Sequence, residues 1–173
     1  MSIEKRLEVP QILVVDDDPL LAKVIARKLN SSAPGTFEII SVTTADLALK
    51  MVCPDWHNKN RTPVTDSSGV VPLNPRFAAA FVDDSFPARE ADLPRGGMGK
   101  SFLENVRHVR YNLWGDQQPP FDYLFGISSE PSAQEYIGRY SDLVASSTAP
   151  EAIGKNPYVI IEKIGSIVLP TQQ

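Results

Sequence analysis

The sequence predicts an α/β domain: five parallel strands in one sheet, with helices on both faces. Short apolar runs rich in β-branched residues recur along the chain, and stretches with helical spacing separate them. That alternation is the signature of repeated βαβ units. Two of the runs, 12–15 and 77–82, lead directly into acidic residues. Right-handed crossovers bring the C-terminal ends of all strands to one edge, where ligands bind in open α/β sheets.

The first strand is Gln11 to Val15, followed by Asp16, Asp17 and Asp18. Pro19 suits the first turn of a helix with Asp18 as its N-cap. Leu20, Leu21, Val24, Ile25 and Leu29 recur at helical spacing. Asn30 to Gly35 reads as a turn-rich break, and Phe37 to Val42 as a second strand. Ala45, Leu47, Ala48, Met51 and Val52 mark a helix ending before Pro54. From about Cys53 to Pro75 the composition turns to Pro, Asn, Thr, Ser and Asp without periodicity, and this reads as an insertion. The third strand is Phe77 to Val82, ending in Asp83 and Asp84. A second irregular stretch, Ala88 to Gly99, precedes a helix from about Lys100 to Tyr111. Tyr123 to Ile127 is the fourth strand, ending in Ser128 and Ser129, and a helix is predicted over Ser132 to Tyr140. Ala152 to Gly154 is a weak fifth strand before Lys155. The last helix begins near Tyr158 and carries Ile160, Ile161, Ile164, Ile167 and Val168.

At 173 residues with 42% hydrophobic content, residues 1–173 are expected to form one domain with a real core. Net charge is −4 and the Lys and Arg residues are scattered, so no basic face for nucleic acid is legible. A single cysteine, Cys53, excludes an internal disulfide and fits a reducing compartment. No run approaches the ~20 apolar residues needed to span a bilayer, and the N-terminus lacks a signal-peptide pattern. A cytoplasmic protein is therefore expected. His57 and His108 read as solvated, and Trp56 and Trp114 as loop-packing or partner-facing residues. Gly96 to Ser101 lacks both the spacing and the preceding strand of a phosphate-binding loop.

Carboxylates crowded at a buried strand end repel one another and lose solvation, which is costly without a cation or donors. The strand ends deliver Asp16 and Asp17, then Asp83, then Ser128, then Lys155. Two or three carboxylates hold Mg²⁺, which takes oxygen ligands and leaves positions for water and phosphate oxygens. One carboxylate can attack phosphorus and form an aspartyl phosphate. A hydroxyl and an ammonium can contact the phosphoryl oxygens, over which transition-state charge is spread. Asp18 reads as a helix cap and Asp84 as a solvated turn residue. Lys163 suits a surface position on the last helix.

On these residues the chain resembles a response-regulator receiver domain, the phosphoacceptor module of two-component signalling. Ile12 to Leu20, with its three acids, is very close to the family's opening motif. Phe81 to Pro87 resembles the phosphorylation motif, in which the acceptor Asp lies four residues before a Pro, and this spacing selects Asp83. Ile127-Ser128-Ser129 resembles the hydroxyl switch motif, and Lys155 fits the family's lysine. The resemblance implies a flavodoxin-like (βα)5 fold with long insertions before and after the third strand. It implies Mg²⁺ bound directly by Asp17 and Asp83 with the Ser85 backbone carbonyl, and Asp16 assisting through water. It implies that Ser128 moves to the phosphoryl group and that Lys155 pairs with it. The implied donor is a histidine kinase or a phosphotransfer protein. No enzyme activity is implied beyond Mg²⁺-dependent self-phosphorylation and hydrolysis of the aspartyl phosphate.

The chain departs from the family at two points. Lys155 is followed by Asn156 before Pro157, and Ala152 stands where many members carry an aromatic switch. The stretch after Asn156 leaves room for one helix and a short tail, so output is expected through an unidentified downstream protein, and a phosphorylation-linked homodimer remains open. Direct nucleic-acid and membrane partners are not expected. Two other readings compete. A pseudo-receiver would keep the fold as a phosphorylation-independent interaction module. A haloacid-dehalogenase-like phosphatase would use Asp16 and Asp18 as its DxD pair, but that family's second acidic pair follows its lysine, and Asp83-Asp84 precedes Ser128.

Overall fold

A computed structural model describes residues 9–54, 75–115 and 118–167. One sheet holds all five strands: β1 (Gln11–Val15), β2 (Glu38–Val42), β3 (Phe77–Asp83), β4 (Phe121–Ser128) and β5 (Glu151–Gly154). Their order is β2-β1-β3-β4-β5 and every pairing is parallel. The expected α/β architecture is the observed one. β1 and β3 are sequence-distant neighbours, so the order reverses between them, and this is where a doubly wound sheet opens a crevice at its carboxyl edge.

Side chains alternate across the sheet, and each face builds its own core. Ile12 and Val14 of β1 join Ala79 and Phe81 of β3 and Phe125 and Ile127 of β4 on one face. There α1 (Pro19–Ser32) and α4 (Pro157–Gly165) cover them with Leu21, Ile25, Leu29, Ile160 and Ile164. The Phe81 and Phe125 rings stack at 4.9 Å. Leu13, Val15, Ala80, Val82 and Leu124 line the opposite face. α2 (Ala45–Val52), α3 (Met98–Arg107) and a 3₁₀ segment (Pro131–Leu143) cover that one. Fully burying an aliphatic side chain contributes ~1.5–3 kcal/mol, so both faces add substantially to stability.

The helices differ from expectation in instructive ways. α1 runs three residues into the expected break and ends at Ser32, and Asp18 caps it as expected, accepting from Leu20 N at 2.9 Å. α3 is regular only to Arg107, and the chain continues as one π-helical stretch, His108–Leu113. That wider turn buries the consecutive residues Val109 and Arg110. Arg110 donates from one nitrogen to the Val52 carbonyl at 3.3 Å and the Pro75 carbonyl at 2.6 Å, joining the two ends of the first insertion. The helix expected over Ser132 to Tyr140 is a 3₁₀ segment instead, interrupted by non-helical backbone at Gln134 and Tyr140. Gln134, Ile137, Tyr140 and Leu143 are all buried. They recur every third residue, the period of a 3₁₀ helix and not of an α-helix.

The second insertion is ordered. Phe86 is buried and pairs with Arg95 across an antiparallel bridge. Pro87 and Ala88 carbonyls accept from Ala45 and Asp46 N–H at 3.0 Å each, satisfying orphan donors at the start of α2. Most of the first insertion, with Trp56 and His57, lies outside the described residues, as does Val168. Ile167 packs against the α1 and α4 core just beyond α4. His108 is exposed, and Trp114 packs against the core of the α2 and α3 face. Among the described residues no helix is long and apolar enough to cross a membrane.

Candidate functional site

The expected acids and lysine meet at the carboxyl edge between β1 and β3. Asp16 extends the β1 backbone, its N–H donating to the Val42 carbonyl at 3.1 Å. That extension fixes its carboxylate at the edge, where Oδ1 accepts from Asp18 N at 2.8 Å. Asp83 closes β3, and its Oδ1 accepts from Asp84 N at 2.8 Å. Carboxylate oxygens of Asp16, Asp17 and Asp83 all lie within 4.8 Å of one another. Asp16 and Asp83 are buried, and Asp17 is more exposed.

Lys155 lies between the two buried acids. Its Nζ is 2.9 Å from Asp16 Oδ2 and 3.1 Å from Asp83 Oδ2. The one ammonium is thus shared between two buried carboxylates, with its better-aligned hydrogen bond to Asp83 Oδ2. The position of Lys155 follows from β5: its N–H donates to the Ser128 carbonyl at 3.0 Å, and Asn156 caps α4 by accepting from Tyr158 N at 2.9 Å. Asn156 between Lys155 and Pro157 therefore starts the last helix, with Pro at its first position.

Burial pushes both Asp16 and Asp83 above the ordinary carboxylate range, and Lys155 only partly offsets it. Burial alone would lower Lys155, but the two carboxylates outweigh it and hold the ammonium above its ordinary value. The cluster thus carries more negative charge than its one cation neutralises. Three carboxylates whose oxygens lie within 4.8 Å of one another, sharing a single ammonium, are a donor set for a hard divalent cation, and these residues fit Mg²⁺.

Five parallel strands in this order, with helices on both faces, make a known fold. The chain has the receiver-domain fold. No family model matches the sequence, and no curated protein matches it closely. Solved structures do. A CheY-like response-regulator receiver from Methanospirillum hungatei JF-1 aligns over 92% of this chain and 93% of its own, with 18% identity and a TM-score of 0.50. The phosphorylated cyanobacterial phytochrome response regulator RcpA aligns over 92% and 91%, with 14% identity and a TM-score of 0.51. A point mutant of the receiver domain of the histidine kinase CKI1 from Arabidopsis thaliana aligns over 92% of both chains, with 22% identity and a TM-score of 0.50.

Within this receiver fold two further expected residues, Ser128 and Ser85, lie at the end of β4 and just after β3. Ser128 is buried at the end of β4, but its Oγ accepts from Glu130 N at 3.1 Å, a local turn contact. Ser85 follows Asp83 by two residues, partly buried in the turn to Phe86. Asp84 differs from its reading as a solvated turn residue. Its Oδ1 accepts from the Tyr136 hydroxyl at 3.2 Å, and its carbonyl accepts from Met98 N at 3.0 Å at the start of α3. Tyr136, and Gln134, which reaches the Val82 carbonyl of β3, are functional-site neighbours that the sequence pattern does not single out. Gln134 falls on the buried three-residue period of the 131–143 segment, whereas Tyr136 lies off it and carries no sequence signal.

Proposed function

We propose that this chain is a phosphoacceptor signalling domain that takes a phosphoryl group from a histidine kinase or phosphotransfer protein onto Asp83. The reading rests above all on Lys155 drawn to Asp16 and Asp83 together at the edge where β1 and β3 separate. The receiver fold supports it, and one structural neighbour is itself a phosphorylated response regulator.

In this reading an Asp83 carboxylate oxygen attacks phosphorus while the bond to the donor nitrogen breaks, and the leaving imidazole takes up a proton. Asp83 Oδ1 is oriented by Asp84 N–H, which leaves Oδ2, now on Lys155, as the nucleophile. Lys155 then neutralises phosphoryl oxygens in place of the free carboxylate. Asp16, Asp17 and Asp83, with the Ser85 carbonyl, would hold Mg²⁺, which when bound offsets negative charge on the phosphoryl oxygens. Ser128 exchanges its turn contact with Glu130 N for the phosphoryl group, and the following segment moves with it. Output passes to a downstream protein through that changed surface, and cytoplasmic placement and a phosphorylation-linked homodimer belong to the same reading.

Intact mass after incubation with Mg²⁺ and acetyl phosphate tests this. Wild type is expected to gain one phosphoryl group and Asp83→Asn none. An adduct on both proteins would overturn the assignment of Asp83.

A further inference from the structure

The segment between β4 and β5 touches the acceptor strand at two points, one on each side of Asp83. Gln134 is fully buried and donates from Nε2 to the Val82 carbonyl at 3.3 Å and the Ile127 carbonyl at 3.2 Å. Those carbonyls belong to the residues immediately before Asp83 and Ser128. On the other side, the Tyr136 hydroxyl donates to Asp84 Oδ1 at 3.2 Å. A Cβ placed on Gly99 would lie 2.8 Å from that hydroxyl and 2.4 Å from the Asp83 carbonyl oxygen. The start of α3, the acceptor strand and Tyr136 therefore converge where no methyl group fits.

The clasp contains an unfavourable element. Gln134 Oε1 is buried without a hydrogen-bond partner, pressed so close to Gly126 that a Cβ there would lie 2.0 Å from it. Exchanging the amide's oxygen and nitrogen would set the oxygen against two carbonyls, which is worse. A buried oxygen left in this way weakens the clasp and leaves it able to open. From Tyr136 the contacts run outward. Tyr136 meets Tyr140 edge-on at 6.2 Å, and Tyr140 donates to Glu104 Oε1 at 2.8 Å. Arg107 lies over the Tyr140 ring at 4.7 Å and pairs with Asp142 at 2.7 Å. Contiguity alone is not coupling; a two-state element is needed. The 131–143 segment, a string of short 3₁₀ turns kinked at Gln134 and at Tyr140, is the element from which two arrangements are asked.

We propose that Gln134 and Tyr136 are positioning residues that clasp the acceptor strand on both sides of Asp83, so that charge added at Asp83 opens the clasp and moves the 131–143 segment. The second half rests on the phosphoacceptor reading; the first does not. A phosphoryl group brings up to two negative charges and three acceptor oxygens. It repels the neighbouring Asp84 carboxylate, which holds the Tyr136 hydroxyl.

Hydrogen–deuterium exchange across residues 131–143 of the full chain, with Mg²⁺ and with or without acetyl phosphate, is the test. Tyr136→Phe keeps the ring and removes the hydroxyl. In the unmodified chain it is expected to raise exchange of the segment about tenfold, the loss of one hydrogen bond to a charged group. Gln134→Met, which removes the donor and keeps the length, is expected to do the same. Asp84→Asn, which retains an acceptor oxygen but loses its charge, should raise exchange less than Tyr136→Phe, and Asp84→Ala should match Tyr136→Phe. Phosphorylated wild type should reach the Tyr136→Phe level, and phosphorylating Tyr136→Phe should add nothing. A simple packing role would raise exchange equally in both states and preserve the phosphorylation-dependent difference, which would overturn the proposal. Equal exchange in unmodified wild type and Tyr136→Phe would overturn it too. If wild type takes no phosphoryl group, the phosphoacceptor reading fails separately, and the unmodified comparison still decides whether the clasp exists.

Discussion

The two faces of the sheet are built on different principles. The face under α1 and α4 has a core of aliphatic side chains and stacked phenylalanines, covered by two regular helices whose N-caps, Asp18 and Asn156, sit beside the cluster. The face under α2, α3 and the 3₁₀ segment buries Arg110, Gln134 and the Tyr140 ring, and its helices lapse into π and 3₁₀ geometry. Apolar packing is non-directional and tolerates little rearrangement at native density. A buried polar group left partly unsatisfied, as Gln134 Oε1 is, weakens the contacts around it. The first face is a scaffold beside Asp16 and Lys155; the second contains the segment that the proposed clasp would move.

The largest effect should come from breaking the scaffold. Ile25 is fully buried on α1, and Ile25→Ala is expected to cost about 3 kcal/mol by denaturant unfolding. Exchange of the 131–143 segment in the still-folded variant should stay at the wild-type level; a rise there would merge the two faces into one unit. Next is the junction between them. Lys155→Ala leaves two buried carboxylates without their shared cation and should cost about 2 kcal/mol in chelator. Adding Mg²⁺ should recover most of that loss in a thermal melt, and no recovery would argue against a cation site. Smaller again is Gly126→Ala on the polar face. The new methyl must displace the Gln134 amide, at about 1.5 kcal/mol, and should raise exchange of the 131–143 segment where Ile25→Ala does not.

Legibility followed the same division. The strands were readable because each is a short apolar run, and Gln11 to Val15 and the start of Phe77–Asp83 coincide with their expected bounds. The acids and Lys155 were readable because charge directly after a buried strand is costly, and the parallel topology brings such strand ends together. Ser128 was readable in position but not in its present partner, since a hydroxyl after a strand can bond its own turn as easily as a ligand. The polar face was harder. An α-helical period was expected over 132–140, yet the buried residues Gln134, Ile137, Tyr140 and Leu143 repeat every three. Gln134 resembles a surface residue in any sequence pattern, and only its place opposite Gly126 makes it part of the core.

The least perturbing test is pH. Asp16 and Asp83 both sit above the ordinary value of 3.8, so the folded chain holds these protons longer than the unfolded chain does. Their contribution to stability is present below that value and is lost as pH rises through the raised folded values. In chelator, the stability difference between wild type and Asp83→Asn should therefore shift toward the variant as pH rises from about 4 toward neutrality, followed by urea midpoints. A shift toward wild type would mean that Lys155 outweighs burial at Asp83.

The central claim is that Asp83, and no other acid of the cluster, receives the phosphoryl group. The most direct measurement is to phosphorylate the chain with acetyl phosphate and Mg²⁺, reduce the acyl phosphate with borohydride to an alcohol, and locate the changed residue by peptide mass. Reduction at Asp83 alone is the predicted result. Reduction at Asp16 would contradict it, and would make this edge the nucleophile site of a phosphatase-like reaction instead.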